Sequence, residues 1–403
     1  MRTRLLTALA VMTSIGLSEA VHPIAAQDGS MATGPVTSPA TWSGRSTVYA
    51  PRDVAATSQP LATTAALEIM QNGGNAIDAA VAAAAVLNVV EPHMTGMGGD
   101  MFAILWSAEE GRLVGRDASG RSGSRMTPES VSDARERDET NAHTVTVPGA
   151  LSGWSSLVET YGDLTLAEVL APAIRLAEEG FPVSPIIAHD WAGAEERLAR
   201  DPGAAATYLV DGKAPKAGDW FTNPDMARTF TRIAEGGPSV FYKGDLGREF
   251  VEGLDELGGF ITMEDLERHD VRWVEPMSVD YKGYTLWELP PAGQGIAALQ
   301  MLKMLEGYDF SSMTHNSAEY LHVLIEAKKL AYADLARYVA DADHMDVDPE
   351  SLLDPAYVAG RAALIDPERA AERVDPGRMV TDSETIYLTV ADRHGNMISF
   401  INS

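Results

Sequence analysis

Asn72-Gly73-Gly74-Asn75, then Ala76–Val90, then Thr95-Gly96-Met97-Gly98-Gly99-Asp100, is the stretch that decides how this chain folds. Two glycines between two asparagines stop a helix. Ala76–Val90 is Ala-rich and apolar almost all round, which predicts a helix buried on every side. Beyond the glycine loop, Met101–Ser107 and Arg112–Ala118 read as paired strands joined by Glu109-Glu110-Gly111. The unit is therefore helix, glycine loop, hairpin. A dinucleotide fingerprint has its glycines after a strand and before a helix, the reverse of this order. No Gly-Lys-Ser/Thr follows, so the loop is no Walker loop either. Its backbone N–H groups are suited to an anion, but the pattern alone reads more plainly as a tight connector.

Upstream, Leu61–Asn72 has helical spacing, residues 27–45 form a Ser/Thr/Gly/Pro-rich lead-in, and order is expected from about Ser46. The first 26 residues read as a signal peptide and cleavage region. Arg2 and Arg4 precede the apolar run Leu5–Leu17, with cleavage expected after Ala20 or Ala26. The mature protein is then exported, periplasmic or secreted, with no membrane span. Downstream, Thr144–Val147 reads as a short strand. Gly153–Tyr161, Thr165–Glu179, Asn223–Glu235 and Gly247–Leu257 read as helices. Tyr281–Leu289 reads as a strand with an inserted Gly283, and Pro290-Pro291-Ala292-Gly293-Gln294-Gly295 as a loop leading into a helix through Leu305. Ser317–Ala340 is the longest helical pattern, residues 341–380 are acidic and Pro-interrupted, and Thr385–Asp392 with Met397–Ile401 form a hairpin. Helices mixed with separated hairpins predict the α+β class.

Composition removes whole classes of function. There is no cysteine among 403 residues, which excludes disulfides, thiolate nucleophiles, thiolate zinc sites and iron–sulfur clusters. The formal net charge of −27 argues against nucleic-acid partners. No metal site is expected. His315 and His322 lie seven apart on one predicted helix without a third ligand, and the aspartates around His344 lack the central glycine of an EF-hand loop. Gly120-Arg121-Ser122-Gly123 has the wrong spacing for a serine-hydrolase elbow. Thr385 opens a strand after Asp382-Ser383-Glu384, and pattern alone makes it an ordinary β-branched residue. A threonine hydroxyl becomes a useful nucleophile when its own α-amine is freed to act as base, which requires a cut just before it.

Asn72–Ala82 followed by Glu91–Asp100 resembles the large-subunit pattern of the γ-glutamyltransferase family. Val147-Pro148-Gly149 with Gly153, Leu170-Ala171-Pro172-Ala173, Phe241-Tyr242-Lys243-Gly244, Leu289-Pro290-Pro291, Glu326-Ala327 and Ala331-Tyr332-Ala333-Asp334 agree with it, so the resemblance runs over about residues 46–403. It implies an N-terminal-nucleophile (Ntn) hydrolase with an αββα sandwich, whose precursor cuts itself into two subunits. The freed threonine then attacks a γ-glutamyl amide, as in glutathione, and water or an acceptor amine resolves the acyl-enzyme. No cofactor is implied.

Carried onto this sequence, the resemblance makes Thr385 the nucleophile, Glu384–Thr385 the scissile bond and Ser403 the partner of the catalytic hydroxyl. Residues 46–384 are then the large-subunit region and 385–403 the start of the small subunit. The arginine that grips the substrate α-carboxylate in typical members falls at Ser119, and Arg121 is the nearest cation. Thr385 is followed by Ile386-Tyr387 where transpeptidases commonly have Thr and His. The loops carrying Gly98, Gly99, Pro290 and Pro291 are expected to border the pocket. An acylase for glutaryl-type or other amides is the alternative activity. Nineteen residues from Thr385 cannot make half a sandwich, and the oxyanion-hole glycines of the family lie beyond Ser403. The chain alone is accordingly expected to be inactive, with exposed sheet edges, and an uncleaved remnant with a binding role is a further alternative.

Overall fold

The computed structural model describes residues 47–135, 142–372, 374 and 386–403; the lead region and residues 375–385 lie outside them. In chain order the elements are β1 (Val54–Ala56), α1 (Pro60–Gln71), α2 (Ala76–Val90), β2 (Met101–Ser107), β3 (Arg112–Ala118) and α3 (Pro128–Arg135). Next come α4 (Ala150–Tyr161), α5 (Leu166–Glu179), β4 (Phe181–Pro182), α6 (Pro185–Leu198), α7 (Pro202–Tyr208), β5 (Trp220–Phe221), α8 (Pro224–Gly236), α9 (Ser239–Tyr242), α10 (Asp245–Glu256) and α11 (Met263–Glu267). The chain continues with β6 (Arg272–Val274), β7 (Met277–Tyr281), β8 (Tyr284–Glu288), α12 (Gly295–Leu305), α13 (Ala318–Tyr338), α14 (Pro355–Ala362), β9 (Ile386–Ala391) and β10 (Met397–Asn402).

The helix stop at 72–75 works through both asparagines. Asn72 caps the end of α1, and Gly73 adopts a φ of 103° that a side chain would resist. Asn75 opens α2 with a capping box, its side chain accepting from the Asp78 N–H while the Asp78 carboxylate accepts from the Asn75 N–H. All fifteen residues of α2 are buried, as an apolar surface all round requires.

The chain places α2 and α4 against one face of a six-stranded sheet in the order β1-β9-β10-β2-β3-β6, with antiparallel neighbours throughout. α1 and α5 pack on α2, and α8 packs on α5. Strict alternation in β2 and β10 explains the burial: Met101, Ala103, Leu105, Ile398 and Phe400 face the helices. Phe102, Ile104, Trp106, Met397 and Ile401 point to the other face and are only partly covered or exposed. The turn of the β9–β10 hairpin is pinned to the start of α2. Asp392 accepts from the Ala76 N–H at 3.0 Å, so a carboxylate meets the positive end of that helix. A second cluster is formed by α12, α13, α14 and the β7–β8 hairpin.

Several expectations need correction. Residues 144–147 form no strand; Ala142–Thr144 is a turn of 3-10 helix, and Val147 instead donates its N–H to Arg121 O at 2.9 Å. Tyr281–Leu289 is not one strand. Lys282 and Gly283 both have positive φ, 48° and 86°, which makes a tight hairpin turn between β7 and β8. His315 and His322 do not share a helix, because Ser317 caps the start of α13. His315 packs on Tyr320, and His322 Nε2 meets Asp366 O at 2.7 Å. The acidic stretch contains α14, which the aspartates serve: Asp354 caps it, and Asp341 and Asp348 cap short 3-10 turns. Among the described residues no group of acidic and histidine side chains is arranged to hold a metal ion.

Candidate active site

Four strand ends meet at one end of the six-stranded sheet. Met101, opening β2, pairs with Ala118 at the end of β3 and with Asn402 at the end of β10. Asn402 pairs in turn with Ile386, the first residue of β9. Asp100, Ser119 and Ser403 are the next residues out from that end. Thr385 directly precedes Ile386 in the chain; Thr385 and Glu384 themselves fall outside the described residues.

Three backbone segments are packed against these strand ends at distances only glycine allows. A Cβ on Gly99 would come within 1.9 Å of Ser403 O, one on Gly120 within 1.7 Å of Val147 O, and one on Gly149 within 2.0 Å of Ala118 O. Hydrogen bonds stitch the same segments together. Gly99 O accepts from the N–H groups of Gly149 and Ala150 at 2.9 and 2.8 Å, and the Ser403 N–H donates to Asp100 O at 3.1 Å. The Asp100 carboxylate accepts from the Gly120 N–H at 2.8 Å; burial raises its pKa and that bond opposes the rise. Pro148-Gly149 is held from beneath by Tyr242, whose hydroxyl donates to Pro148 O at 2.7 Å and accepts from the Ser152 N–H at 3.1 Å. Burial pushes that phenol up to about 12. His269 stacks on Tyr242 and meets Ser152 Oγ at 2.9 Å.

Beside the strand ends lies a cleft of about 560 Å³ lined by Asp117, Ser119, Arg121, Arg272, Pro291 and His344 among others. Arg121 is exposed and has no ion pair among the described residues, whereas Arg272 is paired with Asp343 at 2.9 Å. Ser119 is not free: its N–H and hydroxyl both donate to Asp117 Oδ1, at 2.9 and 2.7 Å. Of the four loop residues, Pro291 lines the cleft and Pro290 is not among its lining residues, while Gly99 lies against Ser403 and Gly98 is exposed. A larger recess of about 780 Å³ is bordered by Met277, Asp348, Asp354 and Tyr357. None of the strand-end residues lines it, so size does not decide here.

Just outside the cleft, Glu288 ends β8 beside Tyr387, and burial raises its carboxyl from 4.5 to about 7. The folded state therefore holds this proton more tightly than the unfolded chain. Its contribution is complete below pH 4.5 and is lost as the pH rises through 7. Glu288→Gln should consequently stabilise the protein at pH 8, by about 3 kcal/mol, and give no gain at pH 4. Urea melts of both proteins at the two pH values check this; an equal change at both would refute it.

Residues 62–403 match the family model described as Gamma-glutamyltranspeptidase. This chain belongs to that family. It is 38% identical over 348 residues to the glutathione hydrolase-like YwrD proenzyme of Bacillus subtilis, covering 85% of this chain and 65% of the relative. It is 38% identical over 361 residues to the acylase ACY 1 proenzyme of Pseudomonas sp. strain SE83, covering 86% and 64%. The chain thus spans slightly less than two thirds of the length of these relatives. Among solved structures, a cephalosporin acylase from Bacillus halodurans superposes with a TM-score of 0.79 at 39% identity, over 90% of this chain and 68% of that one. The γ-glutamyltranspeptidase of Helicobacter pylori gives 0.74 at 29% identity, over 79% and 93%. The fold is that of the Ntn hydrolases of this gamma-glutamyltranspeptidase family, in the α+β class, and the family is one of hydrolases and acyltransferases. Two features of the site escape the sequence patterns. Tyr242 and His269 meet only through tertiary packing. Asn402 was detectable in principle, as an amide on the inward register of Ile398 and Phe400.

Proposed function

We propose that the complete protein is an exported, self-processing amide hydrolase and acyltransferase of the γ-glutamyl type, with Thr385 as nucleophile. In the precursor the Thr385 hydroxyl adds to the Glu384 carbonyl and takes over its acyl group as an ester. Water then cleaves that ester and leaves Thr385 with a free α-amine. In turnover the amine accepts the hydroxyl proton as Oγ attacks the substrate amide, and passes it to the departing nitrogen. Water or an acceptor amine then releases the acyl group. Ser403 orients the hydroxyl, and Arg121 binds a carboxylate of the acyl donor. The partly covered outer face of the sheet, with Phe102, Ile104, Trp106 and Ile401, receives the second sheet of the sandwich.

The observation that carries this reading is the strand register. It brings the residue after Thr385, the residue before Ser403, and the segment carrying Arg121 to one end of one sheet. The test is the intact mass, under denaturing conditions, of the protein expressed through the full length of its relatives. Two fragments meeting at Glu384–Thr385 support self-processing; one uncut species overturns it and favours a binding remnant. The same preparation tests Arg121. Arg121→Ala should raise KM for a carboxylate-bearing donor roughly tenfold or more with kcat little changed, because a charge-assisted contact made equally in ground and transition state is lost. An unchanged KM rejects Arg121 as the anchor.

One observation favours a second reading. At the place of the family's usual arginine stands Ser119, and both of its donors are spent on Asp117. Relatives named as acylases and as an oxamate amidohydrolase, the latter 36% identical, belong to the same set. An acylase for glutaryl-type amides is therefore the alternative, and hydrolysis of γ-glutamyl and glutaryl anilides side by side separates the two.

A further inference from the structure

We infer that Asn402 is the positioning residue of this site: its buried amide locks the Ser403 backbone and the glycine loop into one rigid unit. The inference rests on the reading of Thr385 and Ser403 given above.

Asn402 occupies a core-facing position in β10, following Ile398 and Phe400, where the alternation calls for an apolar side chain. It is fully buried, so each of its polar atoms must find a partner inside the protein. All of them do. Oδ1 accepts from the indole N–H of Trp154 at 2.9 Å. That donor fixes which way the amide points, because an indole N–H cannot accept. Nδ2 then faces three acceptors: Thr95 Oγ1 at 2.9 Å, Gly96 O at 3.1 Å and Ser403 O at 3.1 Å. A single side chain thus connects α4, the adjacent residues Thr95 and Gly96, and Ser403, the residue just past the end of β10.

The bonded unit reaches further. Ser403 donates its N–H to Asp100 O, the Gly99 backbone is in contact with Ser403 O, and the Asp100 carboxylate holds the N–H of Gly120, next to Arg121. Asn402 consequently sits between Trp154 in the core and the segments carrying Thr95–Asp100, Ser403 and Gly120. A leucine, branched in the same way, would leave the Trp154 N–H, Gly96 O and Ser403 O without this partner. A polar network of this kind, fully satisfied, specifies one arrangement of the groups it joins. Small errors in such an arrangement are felt in the chemical step, which depends on the placement of reacting atoms, more than in substrate binding.

The test compares Asn402→Asp with the wild type in the protein expressed through the full length of its relatives. Aspartate keeps the shape and the bond from Trp154 but loses the Nδ2 donors toward Gly96 O and Ser403 O. Both the rate of self-cleavage and kcat should fall at least tenfold, while KM stays within about twofold. Trp154→Phe, which removes only the donor to Oδ1, serves if Asn402→Asp fails to fold; it should lower kcat several-fold, again with KM little changed. Wild-type kcat in a folded Asn402→Asp protein, or in Trp154→Phe where that variant is used, overturns the inference. So does a loss confined to KM. Thr385→Ala in the same series keeps the two readings apart. If it still processes and turns over, the nucleophile assignment has failed. If it is dead while Asn402→Asp is normal, only the positioning role has failed.

Discussion

Thr385→Ala is expected to leave a single uncut polypeptide where the wild type gives two, and to lower amide hydrolysis on the order of ten-thousand-fold or more. The size of the effect follows from the double use of one residue. In the proposed mechanism its hydroxyl opens the Glu384–Thr385 bond, and the amine released by that cut is the base for every later turnover. Alanine removes the nucleophile and prevents the base from appearing. Thr385→Ser retains both groups and should process, more slowly because its side chain lacks the methyl group that restricts χ1. Mass spectrometry reports the cut and an anilide assay the turnover. A two-chain product from Thr385→Ala would place the scissile bond, and with it the nucleophile, elsewhere. Residual processing in Thr385→Ser alone is the pattern that the proposed chemistry requires.

Much of the scaffold around this residue was legible from local pattern. Ala76–Val90, Met101–Ser107 and Arg112–Ala118 are read from sequence with the same limits the structure has, because burial and alternation leave direct marks at periods of 3.6 and 2. The β9–β10 hairpin was legible for the same reason, together with Gly395-Asn396 in its turn. The β7–β8 hairpin was not, since Lys282 carries one of its two positive φ values and lysine gives no turn signal. α14 was hidden by the aspartates and prolines that cap and start it. At the site, the proposed roles of Thr385 and Ser403 rest on family resemblance; pattern alone makes Thr385 an ordinary strand residue. The Tyr242–His269 support and the clasp of Asn402 leave no mark in the local pattern. They consist of contacts between residues far apart in sequence, for example 248 positions between Trp154 and Asn402. Periodicity is blind to such pairs. Glycines in motifs such as Val147-Pro148-Gly149 were visible as letters, but their reason, a backbone-to-backbone approach near Ala118, belongs to the tertiary structure.

That distinction makes the glycine loop the sharpest probe of the site's rigidity. Gly98 and Gly99 are neighbours, both of ordinary negative or extended φ, so conformational freedom does not separate them. Surroundings do. A Cβ on Gly98 meets nothing within 4 Å, while one on Gly99 meets the Ser403 carbonyl oxygen at 1.9 Å and its carbon at 2.7 Å. Neither atom is the end of a flexible side chain, and the Ser403 backbone is tied to Asp100 O and to the Asn402 amide. The clash in Gly99→Ala must therefore move a bonded backbone. We expect a loss of about 3 kcal/mol, at the high end for an inserted methyl group, and with it the loss of self-cleavage, because Ser403 is the atom group displaced. Gly98→Ala should change stability by no more than about 0.5 kcal/mol and process normally. Urea melts and the extent of cleavage, measured on both variants, decide the matter. Equal behaviour of the two would mean that the loop yields and does not hold Ser403. A stable but uncleaved Gly99→Ala would be the most informative outcome, since it separates the placement of Ser403 from the integrity of the fold.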